Sequence, residues 1–453
     1  MASFTSGKLH VIGGGLAGAA LATQMAEDGV EVVLYDEGEP FESRWTRGMQ
    51  TAPESHKTAE PEIFYDPEGL VADFFARWPE IPAKLIRPAH CVMGLKRGRR
   101  KPAIITLDHG VSRALIGRRL GLLARAYTAL GLWQQRYAND ENQIEVALSS
   151  GDFDSDEQAN KPGTYHRDAL AVLAEVLFSM PAHRCSRSLL ARVLVPKLGK
   201  MFSRSHEPVF SAIDPIILND IALPALRERF VVAGGRIMAQ TKLGDIDSTS
   251  DYATDLLFND DIQVEVGPND AIVLALHPRP LCDAVPDIGI PPAPARRQTV
   301  AYELRRPFAE PSCLFVSDDI VRAIYCHRRH LQVSLSSSFH LPTDGTIDQI
   351  VDRVWQRCVW LCNQYLNVDL QARSQNMNGA DHPKFSFIDA EAPFPEFSPG
   401  HVTLRNQLKT PWANLFLCGD SFPVDYAPGP AALFASVKQV RQQVQSFLRK
   451  QER

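Results

Sequence analysis

Residues 9–36 read LHVIGGGLAGAALATQMAEDGVEVVLYD, and this stretch spells out a strand, a glycine turn, a small-residue helix and a second strand. The apolar run Leu9–Ile12 meets Gly13-Gly14-Gly15-Leu16-Ala17-Gly18, the G-x-G-x-x-G spacing of a dinucleotide-binding turn. Gly13 permits the tight turn, Gly15 lets the backbone approach a pyrophosphate, and Gly18 lets the helix pack close to the sheet. The phosphate charge then sits at the helix N-terminus, at Leu16 and Ala17, where unpaired N–H groups point outward. Gly29 stands where a helix C-cap belongs. The following strand, Val30–Tyr35, ends in Asp36, eighteen residues past Gly18, where a carboxylate accepts hydrogen bonds from ribose hydroxyls.

The fingerprint alone does not separate FAD from NAD. The residues after Asp36 bear on the choice, because a NAD domain continues its strand-helix units, whereas this chain breaks into EGEPFESRWTRGMQTAPES, a loop dense in turn formers and charge. The nucleotide-binding pattern returns much later. Residues 235–243 (GRIMAQTKL) predict a strand after a helix holding Leu223–Ala233, 270–276 (DAIVLAL) a buried strand ending at His277, and 414–420 (NLFLCGD) another, followed by a helix over about 430–448. Gly419 removes a side chain beside the cofactor, and Asp420 is placed to accept from a ribityl hydroxyl. The expected fold class is α/β (α+β overall). A Rossmann-like FAD-binding domain is assembled from residues 1–65, 211–285 and 400–453, with an inserted substrate domain of mixed sheet and helices from 66–210 and 286–399.

The 453 residues exceed one small domain, and 45% hydrophobic with 22% charged residues is the balance of a globular chain. A net charge of −5 provides no field for nucleic acid. Eight cysteines without CxxC pairs predict reduced thiols, a cytoplasmic setting and no metal site. The first residues show no secretory signal, and no apolar run reaches a membrane span. GxSxG, HExxH, P-loop and internal-repeat patterns are missing, so hydrolytic chemistry has no support.

Together, VIGGGLAGAALA with LYDE, the segment LAEVLFSMPAHRCSRSLLARVL, then LPALRERFVVAGGRIMAQTKL, DAIVLALHP and finally NLFLCGDSF resemble the FAD-dependent amine oxidase and carotenoid desaturase superfamily. Within it they resemble the squalene-associated desaturases now described as hydroxysqualene dehydroxylases. The resemblance implies FAD, an apolar isoprenoid substrate, removal of the hydroxyl of hydroxysqualene to leave squalene in hopanoid biosynthesis, and an external electron donor. It assigns Gly13, Gly15 and Gly18 to the pyrophosphate, Asp36 to ribose, Leu243 to adenine through its backbone, and Gly419 with Asp420 to the ribityl end. Arg44 keeps the arginine of the family's Gly-Gly-Arg, but Glu42 and Ser43 replace its two glycines. Tyr426-Ala427-Pro428-Gly429-Pro430 replaces a Glu-Gly-Ala pattern at the last helix.

The basic stretch Lys96–Lys101 and the helix expected over 112–137 are read as a core-facing helix with a solvated basic face or as a peripheral membrane contact. The acidic residues Asp152, Asp154, Asp156 and Glu157 are read as a solvated loop. His327 and His330 are expected on a hairpin turn in water, His277 in a capping role, and Phe385, Phe387, Phe394 and Phe397 in core packing or in an apolar cavity wall. No catalytic acid or base is assigned. The competing readings are a flavin oxidase of amines or other small molecules, and a non-catalytic homologue that binds a lipid or protein partner.

Overall fold

The computed structural model describes residues 7–42, 63–97, 100–107, 164–178, 185, 187–194, 209–259, 261–277, 281, 282, 284, 285, 294–337, 339, 346–374, 383–395, 410, 412–423 and 425–451. Strands β1 (Lys8–Ile12), β2 (Glu31–Tyr35), β8 (Arg236–Met238), β12 (Ala271–Leu274) and β18 (Leu415–Leu417) form a parallel sheet in the order β18-β12-β1-β2-β8. The central strands are runs of Val, Ile and Leu buried on both faces, the pattern of a sheet covered on each side. Helix α1 (Leu16–Glu27) is buried from Leu16 to Ala26. Its alanines let it pack tightly, and Thr23 Oγ1 donates to Leu226 O (3.3 Å) in helix α5 (Leu223–Val232). Helix α7 (Pro430–Gln451) closes the same layer, with Arg441 making two 2.8 Å bonds to Asp28.

The single strand expected over 235–243 is two. Asp36 N–H donates to Met238 O (3.1 Å), and Thr241 N–H donates back to Asp36 O (2.8 Å). Gln240 is left-handed at φ 57°. The chain therefore turns around Asp36 and starts β9 (Leu243–Ser248), which joins β10 (Ala253–Phe258) and β11 (Ile262–Glu265) in a separate antiparallel sheet.

Both intervening stretches contribute to one seven-stranded sheet, ordered β17-β13-β16-β15-β14-β5-β6. Its members are β5 (His90–Arg97), β6 (Arg100–Thr106), β13 (Pro294–Glu303), β14 (Ser312–Val316), β15 (Val321–His327), β16 (His330–Leu335) and β17 (Lys384–Pro395). On one face lies helix α6 (Ile347–Leu366), opened by a Thr346/Gln349 capping box and burying Ile350, Val351, Val354, Trp355, Cys358, Leu361 and Cys362 at helical spacing. Phe385 and Phe387 pack into this core. On the other face, the apolar residues of helices α3 (Thr164–Phe178) and α4 (Arg187–Leu194) share a core with Cys91, Met93, Cys313, Phe315, Ala323 and Tyr325. A small sheet, β3 (Ile63–Tyr65), β7 (Phe210–Ile213) and β4 (Ile86–Pro88), completes the structure, beside helix α2 (Leu70–Phe75).

The β15–β16 hairpin is present, with His327 opposite His330 and Arg328 left-handed at φ 52°. His327, however, is buried rather than in water. The turn is roofed by the 304–308 segment, whose Leu304 and Phe308 N–H groups bond to Arg329 O (2.7 Å) and Arg328 O (2.6 Å), and Arg328 reaches Asp214 (2.6 Å).

Asp318, between β14 and β15, is nearly buried. Burial alone raises its carboxyl, but Arg357 Nε (3.0 Å) and Nη2 (2.5 Å) and the N–H groups of Ile320 and Val321 outweigh it and hold the group below the usual carboxylate range. A depressed folded-state value gives stability that is present above about pH 4 and lost as pH falls through that value. Arg357→Met should therefore move the acid-unfolding midpoint, followed by circular dichroism, to higher pH. An unchanged midpoint would mean that the pair adds nothing to acid resistance.

Candidate functional site

The C-terminal ends of β1, β2, β12 and β18 meet at one edge of the parallel sheet. Gly13 N–H donates to Tyr35 O (2.8 Å), Ala275 N–H to Ile12 O (2.8 Å) and Cys418 N–H to Leu274 O (2.9 Å), so the three distant stretches of chain are bonded side by side. Gly13 is left-handed at φ 102°, and a Cβ there would lie 2.4 Å from Ala275 O. A Cβ on Gly18 would lie 1.9 Å from Gly13 O, which shows why α1 comes so near the turn. Gly15 is different: a Cβ on it meets nothing within 4 Å. It caps α1 without a side-chain bond, and the first turn, with Leu16 and Ala17, contains no acidic residue. Open space at an uncapped helix N-terminus is a cradle for an anion.

Asp36 stands beside this turn. Its Oδ2 accepts Gly14 N–H (2.5 Å) and its Oδ1 accepts Gly38 N–H (2.8 Å), which fixes the carboxylate and leaves acceptor capacity on both oxygens. Gly14, to which the G-x-G-x-x-G spacing assigns no role, is the donor that aims it. A Cβ on Gly14 would lie 2.5 Å from Pro40 Cβ, and Gly14 O accepts Phe41 N–H (2.8 Å), so the segment after Asp36 folds back over the turn. The available signal was the middle glycine of an unbroken Gly-Gly-Gly. Leu243 opens β9, two residues past the Thr241 N–H that bonds to Asp36 O, and so shares this neighbourhood. Glu42 is exposed, and Arg44 lies outside the described residues.

At the third stretch, Gly419 has φ 156° and donates its N–H to Ser436 Oγ of α7 (3.0 Å), while Asp420 is buried next to it. Gly429 at φ 130° and Pro430 start α7, so the proline stands at a first helical position and the helix is intact. Burial pushes the Cys418 thiol up to about 12, so it carries a proton at neutral pH and is no nucleophile. Tyr426 donates to Glu68 Oε2 (3.0 Å), and burial followed by the Glu68 charge pushes its hydroxyl far above the usual range. Asp66, raised by burial, accepts the N–H groups of Leu70 and Val71 at the start of α2 (3.0 Å each). His277 follows β12, and its carbonyl accepts Leu281 N–H (3.1 Å). His327 and His330 belong to the seven-stranded sheet and are not part of this edge. The stretches Lys96–Lys101 (as side chains), 112–137 and 152–157, the Phe394 side chain and Phe397 are outside the described residues. No group of metal-ligating side chains occurs among the described residues.

Residues 11–76 match the family model for an NAD(P)-binding Rossmann-like domain. The chain is 24% identical over 200 residues to a hydroxysqualene dehydroxylase from Rhodopseudomonas palustris; the match spans 44% of this chain and 43% of that protein's own length. Among solved structures, it resembles putrescine oxidase bound to putrescine (TM-score 0.62, 9% identity, 97% of this chain and 99% of that one). It also resembles cyclohexylamine oxidase from Brevibacterium oxydans (0.61, 13%, 98% and 99%). The chain shares the fold of these amine oxidases. An oxidoreductase from Methanosarcina mazei shares it as well (0.60, 12%, 96% and 100%). Within this fold, the Gly13–Gly18 turn, Asp36 and Gly419-Asp420 share one sheet edge, and Gly15 leaves open space at the N-terminus of α1.

Proposed function

We propose that the chain is an FAD-dependent oxidoreductase acting on a long isoprenoid, converting hydroxysqualene to squalene. Cofactor binding is supported by the uncapped, unobstructed N-terminus of α1 beside a fixed Asp36. Gly13, Gly15 and Gly18, with the N–H groups of Leu16 and Ala17, would hold the pyrophosphate, Asp36 the ribose, Leu243 the adenine, Arg44 the phosphate charge, and Gly419 and Asp420 the ribityl chain. FAD supplies hydride exchange when bound. The chain's own part is to bind and orient the substrate and to exclude water. Replacing a C–OH bond by C–H takes up two electrons and two protons and releases water, so an external electron donor belongs to this reading.

The observation that carries the isoprenoid is the similarity in sequence to a hydroxysqualene dehydroxylase, whereas the amine oxidases are alike in fold at 9–13% identity. Such a substrate is delivered from a bilayer, so the protein would work on the cytoplasmic face of a membrane as a peripheral enzyme. Among the described residues, no helix is long and apolar enough to cross one.

The test is anaerobic. The holoenzyme, chemically reduced, should recover its oxidised flavin spectrum on adding hydroxysqualene, with squalene as product, and the oxidised enzyme should not be bleached by amines. No recovery with hydroxysqualene discards the dehydroxylase reading, and bleaching by an amine replaces it with the oxidase reading.

A further inference from the structure

The face of the seven-stranded sheet turned toward α3 and α4 changes character along one cross-strand row. Register places Met93, Phe315, Ala323, Ser334, Thr299 and Ile388 side by side from β5 to β17. Met93, Phe315 and Ala323 belong to the core shared with α3 and α4. Ser334 and Thr299 are buried too, at 9% and 0% exposure, yet neither hydroxyl has a hydrogen-bond partner. Directly opposed Ser and Thr on antiparallel strands are close enough to bond to each other, and these do not. An unpaired buried hydroxyl costs about 1–3 kcal/mol, so such groups in native proteins call for a partner from outside the chain. Here two lie together.

The neighbouring row runs through Tyr325, Gln332, Ala301 and Ser386 and, like the first, carries no charge. An ammonium group buried against these two rows would find no carboxylate in them, and the mostly buried Glu175 of α3 is already paired with Arg322. A neutral alcohol would not need a counter-ion. Tyr325 lies in the same core as Ala427, which follows Gly419 and Asp420 on the last cofactor segment.

We propose that the Thr299 and Ser334 hydroxyls anchor the hydroxyl group of an otherwise apolar substrate, orienting the alcohol end of the isoprenoid. The pair is a positioning and specificity element, and it rests on the isoprenoid reading of the site.

The experiment compares equilibrium binding of hydroxysqualene and squalene to the FAD-loaded wild type and to the Thr299→Val/Ser334→Ala variant, with the melting temperature of each. The wild type should prefer the alcohol by roughly tenfold or more. The variant should lose that preference while keeping its affinity for squalene and a melting temperature no lower than that of the wild type, because removing unpaired hydroxyls from a core is not destabilising. A wild type that binds both isoprenoids equally, or a variant that keeps the preference, overturns the anchor and leaves the isoprenoid reading standing. A variant that melts several degrees lower shows that the hydroxyls are partnered inside the protein, by buried water for example, and also overturns the anchor. A wild type that binds neither isoprenoid removes both.

Discussion

Gly15→Glu should yield a folded protein that has lost FAD. Gly15 has φ −62° and ψ 177°, an extended conformation open to any residue, and its Cβ position faces empty space. The glutamate therefore fits the fold without strain, and the N-terminus of α1 favours its charge. The carboxylate enters the space proposed for the pyrophosphate. Two unit charges about 4 Å apart repel by about 4 kcal/mol at a surface-like effective dielectric constant, close to a thousandfold in affinity before steric conflict is added. Gly18→Val is the contrasting variant. Its Cβ would stand 1.9 Å from Gly13 O, so it should fail to fold rather than fold without cofactor. Flavin retained after gel filtration, read beside the melting temperature, separates the two outcomes. Full flavin content in Gly15→Glu would mean that the turn shapes the sheet edge and holds no phosphate.

The second large effect is on stability. Glu175 of α3 and Arg322 of β15 form an ion pair with side chains 12% and 13% exposed. Glu175 also accepts from Ser337 Oγ (2.6 Å), while Arg322 donates to Val316 O (3.1 Å) and Ser336 Oγ (2.9 Å). The pair fastens a helix of the first inserted stretch to strands of the second. Glu175→Ala leaves a guanidinium buried without its counter-charge, and the expected cost is about 3–5 kcal/mol. Glu175→Met combined with Arg322→Met removes both charges and should recover most of the loss. The check is thermal melting of both variants with circular dichroism. A single variant as stable as the wild type would show that the pair is solvated, and a double variant no better than the single would show that the charges themselves stabilise the fold.

The N-terminal unit was readable because its determinants are local. A turn with the G-x-G-x-x-G spacing, a helix of small residues and a strand ending in an acid all lie within the stretch 9–36. Elsewhere the deciding contacts are distant in sequence. Residues 235–243 look like one strand, and what divides them is the backbone of Asp36, to which Met238 and Thr241 bond. His327 beside two arginines suggests a solvated turn, yet the 304–308 segment covers it. The middle glycine, Gly14, gives no spacing signal, although its N–H aims the Asp36 carboxylate. Thr299 and Ser334 are ordinary strand residues until register sets them against each other in an apolar row. Glu175 and Arg322 are separated by so much chain that no local pattern links them.

The convergence of three chain segments on one FAD is tested most directly by purifying the wild-type chain and titrating it with FAD. The expected result is a yellow protein that holds one FAD per chain, as isolated or after reconstitution. A colourless protein that takes up no added FAD would contradict the account.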